Sequence, residues 1–353
     1  MGDLLAATRD LMAVPSLSRQ EAALADVVEK ALNACPWLAV ARVGDNVVAR
    51  TDLGRTHRLV LAGHLDTVPP NANEQPRLEG DTLWGVGASD MKGGLAVMLD
   101  LATAVGDPNI DLTWCFYARE EIGREDSGLV ELWTQRPDLL EGDAAVLGEP
   151  TSGLVEAGCQ GTLRVRLTLR GVRAHTARPF TGRNAIHRLA PLLQRVVEWP
   201  GREVVLDGCT YAEQLQVVSV EGGVAGNVVP DRVEVVINHR FAPDRRTAEA
   251  EASLHELLDP LVEAEAGDEW ELIDGGDGAP PSLDHPLLAA LLQKTGAPPK
   301  AKVGWTDVAS FWEHGVPAAN FGPGDPLLAH HPDERVSRAQ LERARGVLAA
   351  LIG

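Results

Sequence analysis

The 353-residue chain has only four cysteines, Cys35, Cys115, Cys159 and Cys209, widely scattered and with no C-x-x-C pair among them. That spacing excludes a zinc ribbon and a dithiol redox motif, and reduced thiols in a cytoplasmic protein are the expectation. Long apolar runs are missing too, since none approaches the roughly 18 residues of a membrane span. The opening MGDLLAATRDLMAVPS carries Asp3 and Asp10 and no basic segment ahead of an apolar core. It reads as a helix, not a secretory leader, and it lacks the Ser or Thr of a myristoylation signal. Positive charge is scarce: 32 basic residues face 51 acidic ones, for a net charge of −19. Nucleic acid and anionic lipid are therefore poor partners. Only five of the basic residues are lysine, a bias without functional content. Internal repeats and low-complexity tracts are absent.

What is present suffices for a folded protein of two domains. Hydrophobic residues make up 44% and charged residues of both signs 24%, which argues against long disorder. Helical spacing of Leu, Ala and Val runs through 3–34, broken at Pro15. Strands are expected near 38–50 and 58–63, then an amphipathic helix over 93–106, then buried strands at 111–118 and 143–150. Strands alternating with helices predict an α/β fold with a mainly parallel sheet covered on both faces. After Gly161 the rhythm changes. In LRVRLTLRG, Leu163, Val165, Leu167 and Leu169 alternate with Arg164, Arg166, Thr168 and Arg170, the pattern of an antiparallel strand with one wet face. A helix (184–199), two more strands, a helix (247–265) and the linker DGGDGAPPS (274–282) follow. The β-α-β-β-α-β order predicts an inserted α+β, ferredoxin-like domain over 162–276. Residues 1–161 and 277–353, ending in a helix over 337–352, would form the discontinuous main domain.

Ionisable residues gather just past the apolar strands. His64 and Asp66, in GHLDTVP, share a side of one strand, so the carboxylate can accept the imidazole's second N–H. Asp90 in GASDMKGG opens a helix, where a plain N-cap is the bland alternative. Glu120 and Glu121 follow FYAR, and a solvated turn would explain them equally. Glu149 stands in GEPT, and His330 and His331 in AHHPDE. Asp66, Glu120 and Glu149 all lie at the carboxyl ends of apolar strands, where open α/β sheets place ligands. Together these groups would repel and pay desolvation unless a cation sat among them. Imidazole mixed with carboxylate suits zinc, with cobalt or manganese as substitutes.

Five ordered motifs, GHLDTVP, GASDMKGG, AREEIG, GEPT and AHHPDE, make the chain resemble the co-catalytic zinc peptidase family of carboxypeptidases, aminoacylases and acyl-amino-acid deacylases. The resemblance implies two zinc ions bridged by Asp90, with His64 and Glu149 completing one site and Glu121 and His330 the other. The pattern ending at Glu334 favours His330 over His331. Two divalent ions would balance Asp90, Glu121, Glu149 and one hydroxide. The resemblance also implies a cis peptide after Asp90, Asp66 as orienting partner, and Glu120 as the general base acting on a water of lowered pKa.

The same resemblance makes the inserted domain a dimerisation and lid element, whose His175 reaches the partner subunit's site and stabilises the oxyanion; a lone loop histidine is otherwise structural. Eight arginines stand against the single acid Glu198 in 161–200. Of these, Arg178 and Arg183 are candidates to bind carboxylates of the substrate. Arg240, Asn227 and Thr306 match positions that contact substrate in the family, though Asn227 would serve equally as a turn residue. Gln160 stands where some members carry arginine. The implied substrate is an anionic N-acyl amino acid. Family members with other acyl groups, dipeptidases, or a metal-dead binding protein are the rivals; the last would lack a ligand or the base, and this chain has them all.

Overall fold

The structure, a computed structural model, describes residues 2–353. The chain divides into two compact units. One runs up to Gly158 and resumes at 281–300 and 306–353; the other holds 159–280 and 301–305.

The first unit is built on an eight-stranded mixed sheet. At its centre Arg58–His64 lies parallel to Asp111–Tyr117 on one side and to Ala144–Leu147 on the other, and Ala318–Asn320 runs parallel to Ala144–Leu147. Antiparallel strands Ala39–Val43 and Asn46–Arg50 extend one edge. The central strands are apolar and buried almost end to end, as a sheet covered on both faces requires. Pro15 separates helices Leu4–Met12 and Ala22–Asn33; it supplies no backbone N–H, so one continuous helix could not form. The helix expected over 93–106 is Gly93–Ala104. Its apolar surface is nearly continuous, and most of its residues are buried, so it is a core helix and not an amphipathic one. Ser337 caps the final helix, Arg338–Ile352, in a capping box with Gln340.

The second unit is a four-stranded antiparallel sheet in the spatial order Gln214–Gly222, Arg232–Phe241, Gly161–Arg170, Glu269–Gly276. With helices Leu189–Val197 and Thr247–Leu258 this is the ferredoxin-like arrangement. Leu163, Val165, Leu167 and Leu169 are fully buried under the helices. Two expectations need correction. Thr168, assigned to the wet face, is only 3% exposed because it is flanked by Glu234 and Glu269 on the neighbouring strands. The linker expected from 274 starts later, since Asp274–Gly276 still pair with Thr162–Arg164.

Candidate metal centre

Parallel neighbours end on the same edge of a sheet, so the turns after His64, Tyr117 and Leu147 leave side by side. His64 is the last residue of the central strand and is 1% exposed. Asp90 arrives from the turn before helix Gly93–Ala104, with φ −119° and ψ 94°, and its peptide bond to Met91 is cis.

Asp90 has a histidine beside each carboxylate oxygen. Oδ1 lies 3.0 Å from His64 Nε2, and Oδ2 lies 3.5 Å from His330 Nε2. His330 Nε2 is also 3.0 Å from Glu121 Oε1. Two donor groups therefore share Asp90, His64–Asp90–Glu149 and Asp90–Glu121–His330, the donor atoms of each lying within 4.8 Å of one another. Glu120 joins His64 and Glu121 in a third group. His331 points elsewhere, its Nδ1 accepting the Asp333 N–H at 3.1 Å. Glu334, known from the sequence only as the end of a motif, is buried and holds the Asp90 turn by accepting the N–H groups of Ser89 (2.9 Å) and Asp90 (3.0 Å).

Asp66 does not orient His64 in the way its spacing suggests. The nearest partner of His64 Nδ1 is the Asp66 backbone carbonyl at 3.0 Å, while the carboxylate stands 3.5 Å away. That carboxylate instead accepts the backbone N–H of Glu120 (3.0 Å) and of Glu121 (3.0 Å) and the Ser18 hydroxyl (2.7 Å). It thus holds the segment that carries the two glutamates.

The charges of the cluster push against one another. Burial disfavours the imidazolium of His64, but Asp66, Asp90 and Glu120 outweigh it and drive its pKa well up. Burial opposes ionisation of Asp66, yet His64, Ser18 and the Glu120 N–H prevail and hold it at about 2. Glu120 is pushed well above the carboxylate range by burial and then by Glu149, Glu121 and Asp307, against the pull of His64. The hydrogen bond to Glu121 raises His330 to about 9. A cluster in which imidazoles must gain protons and a carboxylate resists losing one is short of positive charge. Its imidazole nitrogens and carboxylate oxygens are donors for divalent transition-metal cations, so the residues fit a pair of such ions sharing Asp90.

The remaining candidates fall in both units. His175, Arg178 and Asn227 lie together on the exposed surface of the second: His175 pairs with Val228, its carbonyl accepts the Arg178 N–H (2.8 Å), and the Asn227 carbonyl accepts the Thr176 N–H (3.0 Å). Arg240 is half-buried in its sheet, where desolvation and Arg164 lower its pKa. Thr306 is buried in the first unit, its hydroxyl 3.2 Å from Asn320 Oδ1. Arg183 is a correction: Glu263 takes both its terminal nitrogens at 2.5 and 2.6 Å. Arg164, Arg166 and Arg170 are likewise paired, with Asp274, Glu271 and Glu269. Gln160 donates to the Ala212 carbonyl (2.9 Å) and is buried.

Residues 60–353 match the model of peptidase family M20/M25/M40, and the chain belongs to that family of metal-dependent amide-bond hydrolases. It is 42% identical to the succinyl-diaminopimelate desuccinylase of Corynebacterium glutamicum, covering 99% of this chain and 95% of the relative. A Mycobacterium tuberculosis protein, whose own assignment as the desuccinylase DapE is provisional, is 48% identical over 100% of this chain and 98% of its own. Among solved structures, aminopeptidase PepT of Bacillus cereus superposes with a TM-score of 0.81 at 17% identity, over 99% of this chain and 97% of that one; this likeness speaks for the fold alone.

Proposed function

We propose that this chain hydrolyses N-succinyl-LL-2,6-diaminopimelate to succinate and LL-2,6-diaminopimelate, a step of lysine and diaminopimelate biosynthesis, using two zinc ions per subunit, with cobalt or manganese as substitutes. The observation that carries the chemistry is Asp90, whose two oxygens each face a histidine. The substrate rests on full-length likeness to desuccinylases. When bound, the two cations supply Lewis acidity and a water of lowered pKa.

In this reading His64, Asp90 and Glu149 hold one ion and Asp90, Glu121 and His330 the other. Glu120 stays free of both as general base. Grouped with His64 and Glu121 beside both sets of donors, it is placed to take the proton of the attacking water and to return it to the departing amine nitrogen. Asp66 keeps Glu120 and Glu121 in place through their backbone N–H groups. His175 Nδ1 accepts the Ala177 N–H at 3.0 Å, which leaves the neutral ring's proton on Nε2, ready to be donated to an oxyanion. Arg178, Arg240, Asn227 and Thr306 bind the carboxylates and polar groups of this anionic substrate.

The protein works as a homodimer through the inserted unit. Strand Gln214–Gly222 supports this: it forms an edge of its sheet and exposes Val218 and Val220, and such an edge invites pairing. We place the enzyme in the cytoplasm. The four buried free cysteines accord with that, and no described helix is long and apolar enough to cross a membrane.

The test is a rate comparison on zinc-loaded protein between N-succinyl-diaminopimelate, N-acetylornithine and several dipeptides. We expect kcat/KM to favour the succinyl substrate by at least ~100-fold, since a site built to pair with a substrate's polar groups rejects analogues that leave those partners unmatched. A preference for N-acetylornithine or a dipeptide would overturn the substrate assignment while leaving the metal centre standing.

A further inference from the structure

Neighbouring residues in an extended chain point to opposite sides, yet Glu120 and Glu121 both belong to one donor group with His64. The chain reaches this pair through a turn at Arg119, whose φ is +62°, in the left-handed region that costs a non-glycine residue on the order of 1 kcal/mol. Such a conformation persists only where its surroundings over-determine it. Here three successive backbone N–H groups end on two buried carboxyl groups. Asp66 takes those of Glu120 and Glu121, and Glu21 Oε1 takes that of Arg119 at 3.0 Å.

Glu21 is fully buried and stands just ahead of helix Ala22–Asn33, far from the metal donors in sequence. The same Oε1 accepts the N–H of Arg19 (3.0 Å), itself left-handed at φ +73°. Glu21 thus ties the loop before the helix to the turn before the base. Ser18, in that same loop, donates to Asp66. Loop and turn are stitched together by Ser18, Glu21 and Asp66, and the side chain of Arg119 is fastened separately, to the Asp126 carbonyl and Glu131 (2.6 Å each). No part of Glu21 belongs to a donor group, and burying a carboxyl group is costly; its backbone contacts with Arg19 and Arg119 are the return on that cost.

We propose that Glu21 is a positioning residue for catalysis: by accepting the Arg119 N–H it locks the left-handed turn that aims Glu120 at the reacting water. This rests on the reading of Glu120 as the base. With the bond gone, the turn can relax towards right-handed backbone and swing the Glu120 carboxylate away, and a misplacement of about 1 Å at a reacting group can cost ~100-fold in rate.

The test uses metal-loaded, full-length protein and compares Glu21→Ala, Glu21→Gln, Glu21→Asp, Glu120→Ala and Leu24→Ala. Leu24 is a fully buried residue of the same helix and serves as the stability control. The readouts are kcat, KM, metal content and Tm. Glu21→Gln keeps an acceptor oxygen at the right reach, so its kcat should stay within a few-fold of wild type. Glu21→Asp withdraws the acceptor by one methylene and should fall with Glu21→Ala, by ~10–100-fold in kcat with KM and metal content little changed. Leu24→Ala should lower Tm without that loss of kcat. Should Glu21→Ala fail to fold, the Asp and Gln pair decides alone. Wild-type kcat in Glu21→Asp, equal impairment in Glu21→Gln, or a kcat loss in Leu24→Ala that matches it at equal Tm would each overturn the proposal. An active Glu120→Ala would instead sink the assignment of the base, and the two failures are thereby told apart.

Discussion

His330 is half-exposed and yet its imidazole is held at about 9 by the Glu121 carboxylate 3.0 Å away. A nitrogen that binds a cation must first give up its proton. Below pH ~9 the metal-free histidine is charged, so loading releases a proton, and each further unit of acidity weakens binding about tenfold for every proton displaced. His64, pushed up for the same reason by Asp66 and Asp90, adds to the effect. Calorimetric titration of metal-free protein with zinc at pH 7, in buffers of different ionisation enthalpy, should report at least one proton released per chain. Zero release would mean that the histidines are neutral before loading and that the carboxylates do not dominate them.

At the scale of elements, the turns after the three parallel strands do the gathering, while the edge strand Gln214–Gly222 is the surface proposed for assembly. Val220 is 49% exposed on that edge. Val220→Lys places a charge where a second copy would pair, a device that edge strands commonly use to block association. The variant should run as a 37.7 kDa monomer in light scattering. It should also lose most of its turnover, because in the proposed dimer His175 serves the partner's site. A fully active monomer would contradict both the dimer and the role of His175. These elements were legible in the sequence for a simple reason: strict alternation marks 161–170, continuous apolar runs mark the central strands, and His64, Glu120, Glu121 and Glu149 end or closely follow such runs. Contacts between distant segments were not legible. The Glu21 bond to the Arg119 N–H and the Ser18 bond to Asp66 leave no periodic trace. Neither does the Glu263 partner of Arg183, nor the diversion of the Asp66 carboxylate from His64 to two backbone N–H groups. The spacing of His64 and Asp66 tells which side they share; it cannot tell which oxygen the ring meets.

Across the whole molecule, a chain of net charge −19 concentrates Asp90, Glu120, Glu121 and Glu149 around two histidines at one edge of its larger sheet. Segments as far apart as 64 and 330 converge there, and the order of the parallel strands makes that possible. The family match over residues 60–353 spans all of these donors. Their convergence is energetically reasonable only if cations offset the repulsion. Metal content tests this most directly: protein saturated with zinc, dialysed free of excess and analysed by atomic emission should hold two ions per chain. Removal by chelation should abolish hydrolysis, and added zinc should restore it. Metal-replete protein that carries no stoichiometric metal, or chelated protein that turns over at the full rate, would contradict the account.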